Sequence, residues 1–373
     1  MTSFMKFYDE IEDVPYPGND FGFWDVFIGT HPIDWKPQVS NKTYYPILLR
    51  YHHSLFDGYH LMTTIFGNFS DAKMTLHDVQ KFDTNIIKKC FEKTYVLFRQ
   101  LYETCTFPWR YFLIANENNF SILCKSKLQN KKIFSYRCEE NPRYIQLIKE
   151  IKRQVHGISF TDVILAALSS SLSQYIIKNS TTIPNHITVS TPEVPKAKDL
   201  LNTAMQGDEA SLTCKNKVHF SLRSLPVDEH MDMKQRLNLL KDQGGFLKSP
   251  YQIMVDYYVM TFISSTFPDM ILKKIFNCMR NSAIVTNLPG PPKTTCLSGH
   301  PLEMMIMHSI SKSSTNTGIS CLFSTYDGRL QTTLTADRAV ISSKREMDDI
   351  ILNIYKSLDE LYDQVCANNN STN

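Results

Sequence analysis

The chain has 373 residues, with 40 Lys and Arg against 37 Asp and Glu; 42% of residues are hydrophobic, 21% charged and 12% aromatic. A supply of 22 Phe and 18 Tyr excludes low-complexity disorder, and the length suits two cores of ordinary domain size. A formal charge of +3 is close to balance and leaves no electrostatic footprint for nucleic acid.

Turn-rich sequence opens the chain, with Pro15, Pro17, Gly18 and Asn19. Strands are predicted over Phe23–Ile28 and Tyr45–Tyr51, and the second runs directly into HHSLFDG. From Gly58 to Phe66 the pattern turns helical. A longer amphipathic helix is expected over Asn85–Cys105, with Ile87, Cys90, Phe91, Tyr95, Phe98 and Leu101 on one stripe and Pro108 as its stop. Residues 111–138 read as short strands between polar turns. Helices follow over Pro142–Val155 and Thr161–Ile177, and the Ala and Ser residues of the second allow close backbone packing.

Further strands are expected at 186–190 and 217–223, then helical runs at 231–243 and 251–279. Strand-like runs at 282–287, 302–310, 317–326 and 330–336 are separated by NLPGPP, Ser-Gly and Asp-Gly turns. A last helix begins at Ser343 and Glu346, which stand at capping-box spacing. The sum is a mixed α/β chain with helices packed on sheets, without internal repeats.

The nine cysteines stand singly, with no C-x-x-C pair for zinc, and read as reduced thiols of a cytosolic-type compartment. The opening MTSFMKFYDEIEDVPYP carries acids and lacks the apolar core of a secretory signal. No stretch reaches the ~18 apolar residues of a membrane span. The nearest, Met254–Phe267, carries Asp256 and is expected as a core helix or one lying on a membrane surface.

The most informative residues are His52, His53, Ser54, Leu55, Phe56, Asp57 and Gly58, an H-H-x-x-x-D-G pattern at a strand-to-helix turn. A metal site is disfavoured. Neighbours in a strand point to opposite faces, and no third ligand stands at a strong spacing. A purely structural His pair is the other reading from the residues alone.

This motif, so placed, resembles the superfamily of CoA-dependent acyltransferases with the chloramphenicol-acetyltransferase-like fold. The second half narrows the resemblance to the wax ester synthase/diacylglycerol acyltransferases. TNLPGPP (Thr286–Pro292) is similar to that family's Ser-Asn-Val-Pro-Gly-Pro element, and LSGHP (Leu297–Pro301) to the Gly turn after it. FSTYDGRLQTTLTAD (Phe323–Asp337) resembles its late β-hairpin. FTDVILAALSSSL (Phe160–Leu172) resembles its helix headed by Asn-Asp-Val, and NKVHFSLRSLP (Asn216–Pro226) its strand beginning Gly-Asn. The sequence departs at Thr161, where the family has Asn, and at Lys215, where it has Gly. Only 51 residues precede His52, fewer than the family pattern, so the N-terminal part is expected to be shortened.

The resemblance implies two chloramphenicol-acetyltransferase-like subdomains, residues 1–139 and 140–373, with a tunnel between them. It implies long-chain acyl transfer from acyl-CoA to a fatty alcohol or diacylglycerol, with His53 as general base. The alcohol is the difficult partner, because a thiolate of pKa about 8–9 leaves readily whereas a hydroxyl is barely ionised at neutral pH. Imidazole, ordinarily titrating near about 6.5, is available as a neutral base. His52 is expected as a hydrogen-bonded scaffold residue. Asp57 reads either as an orienting acid or, following the family, as a residue that holds the turn through an Arg, with Arg50 and Arg223 as candidates. Gly58 permits a tight turn or close helix packing. Asn287, Pro289, Gly290 and Pro291 form a rigid loop, expected at the tunnel rim, and Lys293 just beyond it is either a surface lysine or a contact for a CoA phosphate.

No metal or redox cofactor is implied, with acyl-CoA entering as substrate. Both substrates partition into bilayers, so the expected place is the cytosolic face of the endoplasmic reticulum, a lipid droplet or the plasma membrane. Two rivals differ in class or acceptor. One is an acyl-CoA- or lipid-binding relative without turnover; the other is an acyltransferase of this superfamily using an amine or small alcohol.

Overall fold

The computed structural model describes residues 22–33, 42–68, 131–193, 219–247, 250–278, 281–293, 299–309 and 317–366, with shorter stretches at 7, 10–11, 14–17, 98, 101–102, 104–107, 122–123, 128–129 and 295–296. Two compact units are present: Met1–Leu61 with Ser211–Asn216, and Met62–Ala210 with Lys217–Asn373.

In the first unit β1 (Trp24–Ile28) pairs antiparallel with β2 (Ile47–Tyr51), Trp24 opposite Tyr51 and Ile28 opposite Ile47. His52 N–H donates to the Phe23 carbonyl at 2.7 Å, so the pairing continues one residue past β2. Arg50 ties the preceding segment to this sheet. Its Nε donates to Asp25 at 3.0 Å, its Nη1 to the Ile11 carbonyl at 2.7 Å, and its guanidinium lies 4.5 Å from the Tyr16 ring. Helix α1 (Gly58–Asn68) starts in this unit.

The second unit is built on a six-stranded sheet of β3 (Lys132–Cys138), β4 (His186–Glu193), β5 (His219–Pro226), β6 (Ala283–Leu288), β9 (Ile319–Tyr326) and β10 (Arg329–Asp337). Their spatial order is β3-β10-β9-β6-β4-β5. Strand β6 runs parallel to both neighbours and every other pairing is antiparallel. The expected boundary at 139/140 falls immediately after β3, an edge strand of this sheet. A two-residue pair, β7 (Thr295–Cys296) and β8 (His300–Pro301), follows the Pro-rich loop.

One face of the sheet is covered by α2 (Tyr144–Gln154), α3 (Phe160–Asn179), α4 (Met233–Leu247) and α7 (Lys344–Cys366). Helix α3 is the centre of this layer. Its start is fixed by a capping box: Asp162 N–H donates to Ser159 Oγ at 3.1 Å, and Ser159 N–H returns to Asp162 Oδ2 at 2.7 Å. It meets the length and composition of a membrane span, but its residues are mostly buried within the unit. Two of its buried serines bond carbonyls of other elements, Ser169 that of Pro226 at 2.8 Å and Ser171 that of Ile350 at 2.7 Å. The Ala-Ser surface therefore does what its composition implies, letting neighbouring backbones approach. Helix α7 presents Met347, Ile350, Ile351, Ile354, Leu358 and Leu361 to the same core. Each such side chain contributes about 1.5–3 kcal/mol on burial.

Two expectations change. The strand expected at 302–310 is an extended strap outside any ladder over its described residues, 302–309. Tyr326 Oη donates to the Leu302 carbonyl at 2.6 Å and Thr333 Oγ1 to the Met307 carbonyl at 2.9 Å, while Thr335 Oγ1 bonds His308 Nδ1 at 2.9 Å. Side chains of the sheet thus take the strap's carbonyls, so it lies across a sheet face where an added strand would sit at an edge. Residues 302–309 are all half-buried, as suits an extended segment lying on that face. The helical run at 251–279 is two helices, α5 (Pro250–Thr266) and α6 (Asp269–Cys278), parted at Phe267–Pro268 where proline lacks the amide a continuing helix needs. The helix expected over Asn85–Cys105 lies mostly outside the described residues; residues 98, 101–102 and 104–107 are helical.

Candidate active site

The β2-to-α1 connection brings His52, His53, Asp57 and Gly58 to one turn. Leu55 N–H donates to the His52 carbonyl at 3.0 Å, which closes the loop around the two histidines. His52 Nδ1 accepts the Ser54 backbone N–H at 3.3 Å and bonds Ser54 Oγ at 2.7 Å. A ring nitrogen that accepts a backbone N–H carries no proton, so neutral His52 holds its hydrogen on Nε2. Its ring stands against Tyr16 and Phe23, centroids 6.2 and 5.7 Å away. His53 is exposed at the crest of the turn.

Asp57 is fully buried at the helix start, in the N-cap position. Its carbonyl accepts Leu61 N–H at 2.9 Å, the first intrahelical bond of α1, and its Oδ1 accepts the His60 backbone N–H at 2.9 Å. The other oxygen, Oδ2, lies 2.6 Å from His60 Nδ1, with His60 itself only 6% exposed. The carboxylate is thus held from two directions by one residue, through its backbone and through its ring. The backbone bond is an ordinary N-cap, and the imidazole adds a second bond to the same carboxylate. Sequence reading passed over His60, although D-G-Y-H sets a donor three residues after an N-cap Asp, which is the signal that finds it. Gly58 is the first helical residue, and positive φ among the described residues is confined to Gly157, Gly299, Asp327 and Gly328. The turn therefore does not need Gly58 for a left-handed backbone.

Tyr51, at the end of β2, packs edge-on to Phe56 at 6.4 Å. Burial above all, with the nearby Tyr16 and Asp57 adding to it, pushes its phenol up to about 12, so it remains a neutral hydrogen-bonding group.

In the second unit the Pro-rich loop is fastened to the β9–β10 hairpin. Gly290 N–H donates to Thr325 Oγ1 at 2.8 Å, and the Pro291 carbonyl accepts Asp327 N–H at 3.1 Å. A Cβ at Gly290 would stand 1.7 Å from the Thr325 carbonyl oxygen, so only glycine permits this approach. The hairpin turn has Asp327 and Gly328 at φ +53° and +72°, the type I′ pattern that the Asp-Gly pair favours. Asn287, at the end of β6, reaches Thr161 Oγ1 of α3 at 3.4 Å. Pro289 is exposed and Pro291 buried. Lys293 meets Glu303 at 3.4 Å on the surface. Among the described residues no three His, Cys, Asp or Glu side chains are grouped to hold a metal ion.

The loop, the hairpin and the strand before them all fall in a segment, residues 215–361, that matches the model of the WS/DGAT C-terminal domain family. This segment is a WS/DGAT C-terminal domain. The match puts that part of the chain in an acyltransferase family. A search of the curated proteins returned no match. Among solved structures, the chain is similar to a wax ester synthase/diacylglycerol acyltransferase from Marinobacter aquaeolei VT8, at 16% identity and TM-score 0.56, over 97% of this chain and 76% of that one. It is also similar to the TRI3 trichothecene 15-O-acetyltransferase from Fusarium sporotrichioides (12% identity, TM-score 0.58, 96% and 74% covered). A third similar structure is the first condensation domain of a calcium-dependent antibiotic synthetase (10% identity, TM-score 0.57, 98% and 75% covered). At these identities the likeness establishes the fold, that of chloramphenicol-acetyltransferase-like acyltransferase and condensation domains. Within the WS/DGAT C-terminal domain the Pro-rich loop is a braced element, and its one exposed lysine is engaged by an acid. The histidine turn lies upstream of the matched residues.

Proposed function

We propose that this protein is an acyl-CoA-dependent O-acyltransferase that esterifies a fatty alcohol or diacylglycerol, with His53 as the general base. The observation that carries the reading is the exposed His53 in an H-H-x-x-x-D-G turn, locked to its helix by Asp57 and His60, in a chain that also holds a WS/DGAT C-terminal domain. In the step proposed, the acceptor oxygen attacks the thioester carbonyl while its proton passes to the His53 ring. The tetrahedral adduct then collapses, the carbon–sulfur bond breaks, and the departing CoA thiolate recovers that proton from the imidazolium. Proton transfer of this kind contributes about 10²–10⁴ in rate. The reaction needs no redox or metal cofactor.

The other residues support that base. His52, bonded to Ser54 and set against Tyr16 and Phe23, holds the first half of the turn. Asp57 fixes the point at which α1 begins. Asn287, Pro289, Gly290 and Pro291 form a stiff rim for substrate entry. Both substrates reside in bilayers or lipid droplets, so the enzyme works at a cytosolic membrane face.

The test is product analysis with the purified chain, labelled palmitoyl-CoA and three acceptors: hexadecanol, diacylglycerol and a short polar alcohol. Labelled wax ester or triacylglycerol supports the reading. Ester only with the polar acceptor reassigns the acceptor class. Saturable palmitoyl-CoA binding without any ester makes the protein a binding relative.

A further inference from the structure

The histidine turn holds a second pairing that the proposed lipid acyl transfer uses only as a brace. His52 Nδ1 stands 2.7 Å from Ser54 Oγ and also accepts the Ser54 backbone N–H at 3.3 Å. That nitrogen carries no proton, so the hydroxyl is the donor, and Ser54 Oγ–H points at the lone pair of an imidazole. A hydroxyl within hydrogen-bond reach of a ring base is the pairing that nucleophilic catalysis requires. Both residues are exposed, so the oxygen can be reached from outside.

The base is also oriented. His52 N–H is bonded to the Phe23 carbonyl at 2.7 Å, and the Leu55 N–H closes on the His52 carbonyl at 3.0 Å. The ring itself stands edge-on to Tyr16 at 6.2 Å and tilted against Phe23 at 5.7 Å. Among the described residues no carboxylate bonds its Nε2, so no buried acid strengthens this base as one does in a full triad. That sets the substrate class. A thiolate or phenolate, from an acid of pKa about 10 or below, departs readily, whereas an alkoxide needs more help than one imidazole gives. Phe23, 43% exposed beside the ring, offers an apolar side chain along which a short acyl chain can lie.

We propose that Ser54 and His52 form a nucleophilic dyad that takes an acyl group from a thioester or aryl ester as a covalent serine ester. Ser54 Oγ attacks the acyl carbonyl while its proton passes to His52 Nδ1. The adduct collapses, the bond from the acyl carbon to the leaving sulfur or oxygen breaks, and the leaving group takes the proton from the imidazolium. Water then attacks the serine ester. Its proton passes through Nδ1 to Ser54 Oγ, and a carboxylic acid is released. Without an acid behind the ring this second step is the slow one, so the serine ester accumulates. The activity needs neither His53 nor a lipid acceptor.

The test uses the full chain with p-nitrophenyl butyrate and, in a second arm, butyryl-CoA. Wild type should release a burst of p-nitrophenolate close to the amount of protein, then turn over slowly. With either donor it should gain the mass of one butyryl group, mapped to Ser54 by peptide analysis. Ser54→Ala should lose both burst and label. Ser54→Cys keeps a nucleophile beside the base and should be acylated at that position, which separates the loss in Ser54→Ala from misfolding. His52→Phe keeps an aromatic ring against Tyr16 and Phe23 but removes the base, and should slow the burst by about 10²–10⁴. No burst in wild type, acylation only at other residues, or a burst of equal rate in His52→Phe overturns the dyad. Wax ester and triacylglycerol synthesis are read separately on the same protein. A serine ester without lipid ester leaves the dyad standing and removes the lipid acyl transfer; lipid ester without a serine ester does the reverse.

Discussion

Replacing His60 by Leu removes the ring donor 2.6 Å from Asp57 Oδ2 while leaving the carboxylate fully buried. The backbone half of the cap, His60 N–H to Oδ1 at 2.9 Å, is retained. Loss of a hydrogen bond to a buried charged group costs about 1.5–3 kcal/mol. The cost is local to the start of α1, so hydrogen exchange reads it better than a global midpoint. The amide of Leu61, bonded to the Asp57 carbonyl, should exchange about 10- to 100-fold faster in the variant. His60→Asn, whose amide places an N–H close to where Nδ1 stood, should recover most of that protection. Exchange at residues 58–68 equal in His60→Leu and wild type would refute the clamp. So would an Asn variant no better than Leu.

Gly290→Ala forces a Cβ to within 1.7 Å of the Thr325 carbonyl oxygen; about 1–3 kcal/mol should be lost as the loop or hairpin shifts, and an unchanged thermal midpoint would contradict the close approach. Ser343→Ala removes the N-cap of α7 and should cost about 1 kcal/mol near neutral pH, read as a lower thermal midpoint. Burial pulls the partner Glu346 carboxyl up, but hydrogen bonds from Ser343 and Ser342 outweigh it and hold the group below the usual carboxylate range. A group depressed in this way stabilises above its unfolded value near about 4.3 and loses that effect as pH falls through its folded value. The gap between Ser343→Ala and wild type should therefore narrow in acid, and a gap that widens there would reverse the sign.

The core was legible because its periodicity is strong. The α3 and α7 helices, the β9–β10 hairpin with its Asp-Gly turn and the Ser343–Glu346 cap all stand where the pattern put them, within a few residues. The two corrections differ in cause. At 302–309 a local pattern marks a segment as extended without saying what it meets, whereas the break in 251–279 follows from Pro268, which lacks the amide a continuing helix needs. Residues 302–309 are extended as a strand is, yet side chains of the sheet take their carbonyls. The uncharged run in α5 reads from composition equally as core or as membrane surface, and in the structure its Tyr258 and Phe262 are exposed. The turn from His52 to Gly58 was legible as a motif. Its mechanics were legible only in part, because His60, which meets Asp57 from three residues away, lies outside the motif.

The central claim is that one exposed imidazole takes the proton from a lipid hydroxyl. The direct measurement is the rate of ester formation by wild type, His53→Ala and His52→Ala under saturating palmitoyl-CoA and acceptor. A fall of about 10²–10⁴ in His53→Ala, with a much smaller loss in His52→Ala, is the predicted result. Ester formed by His53→Ala at the wild-type rate would contradict it.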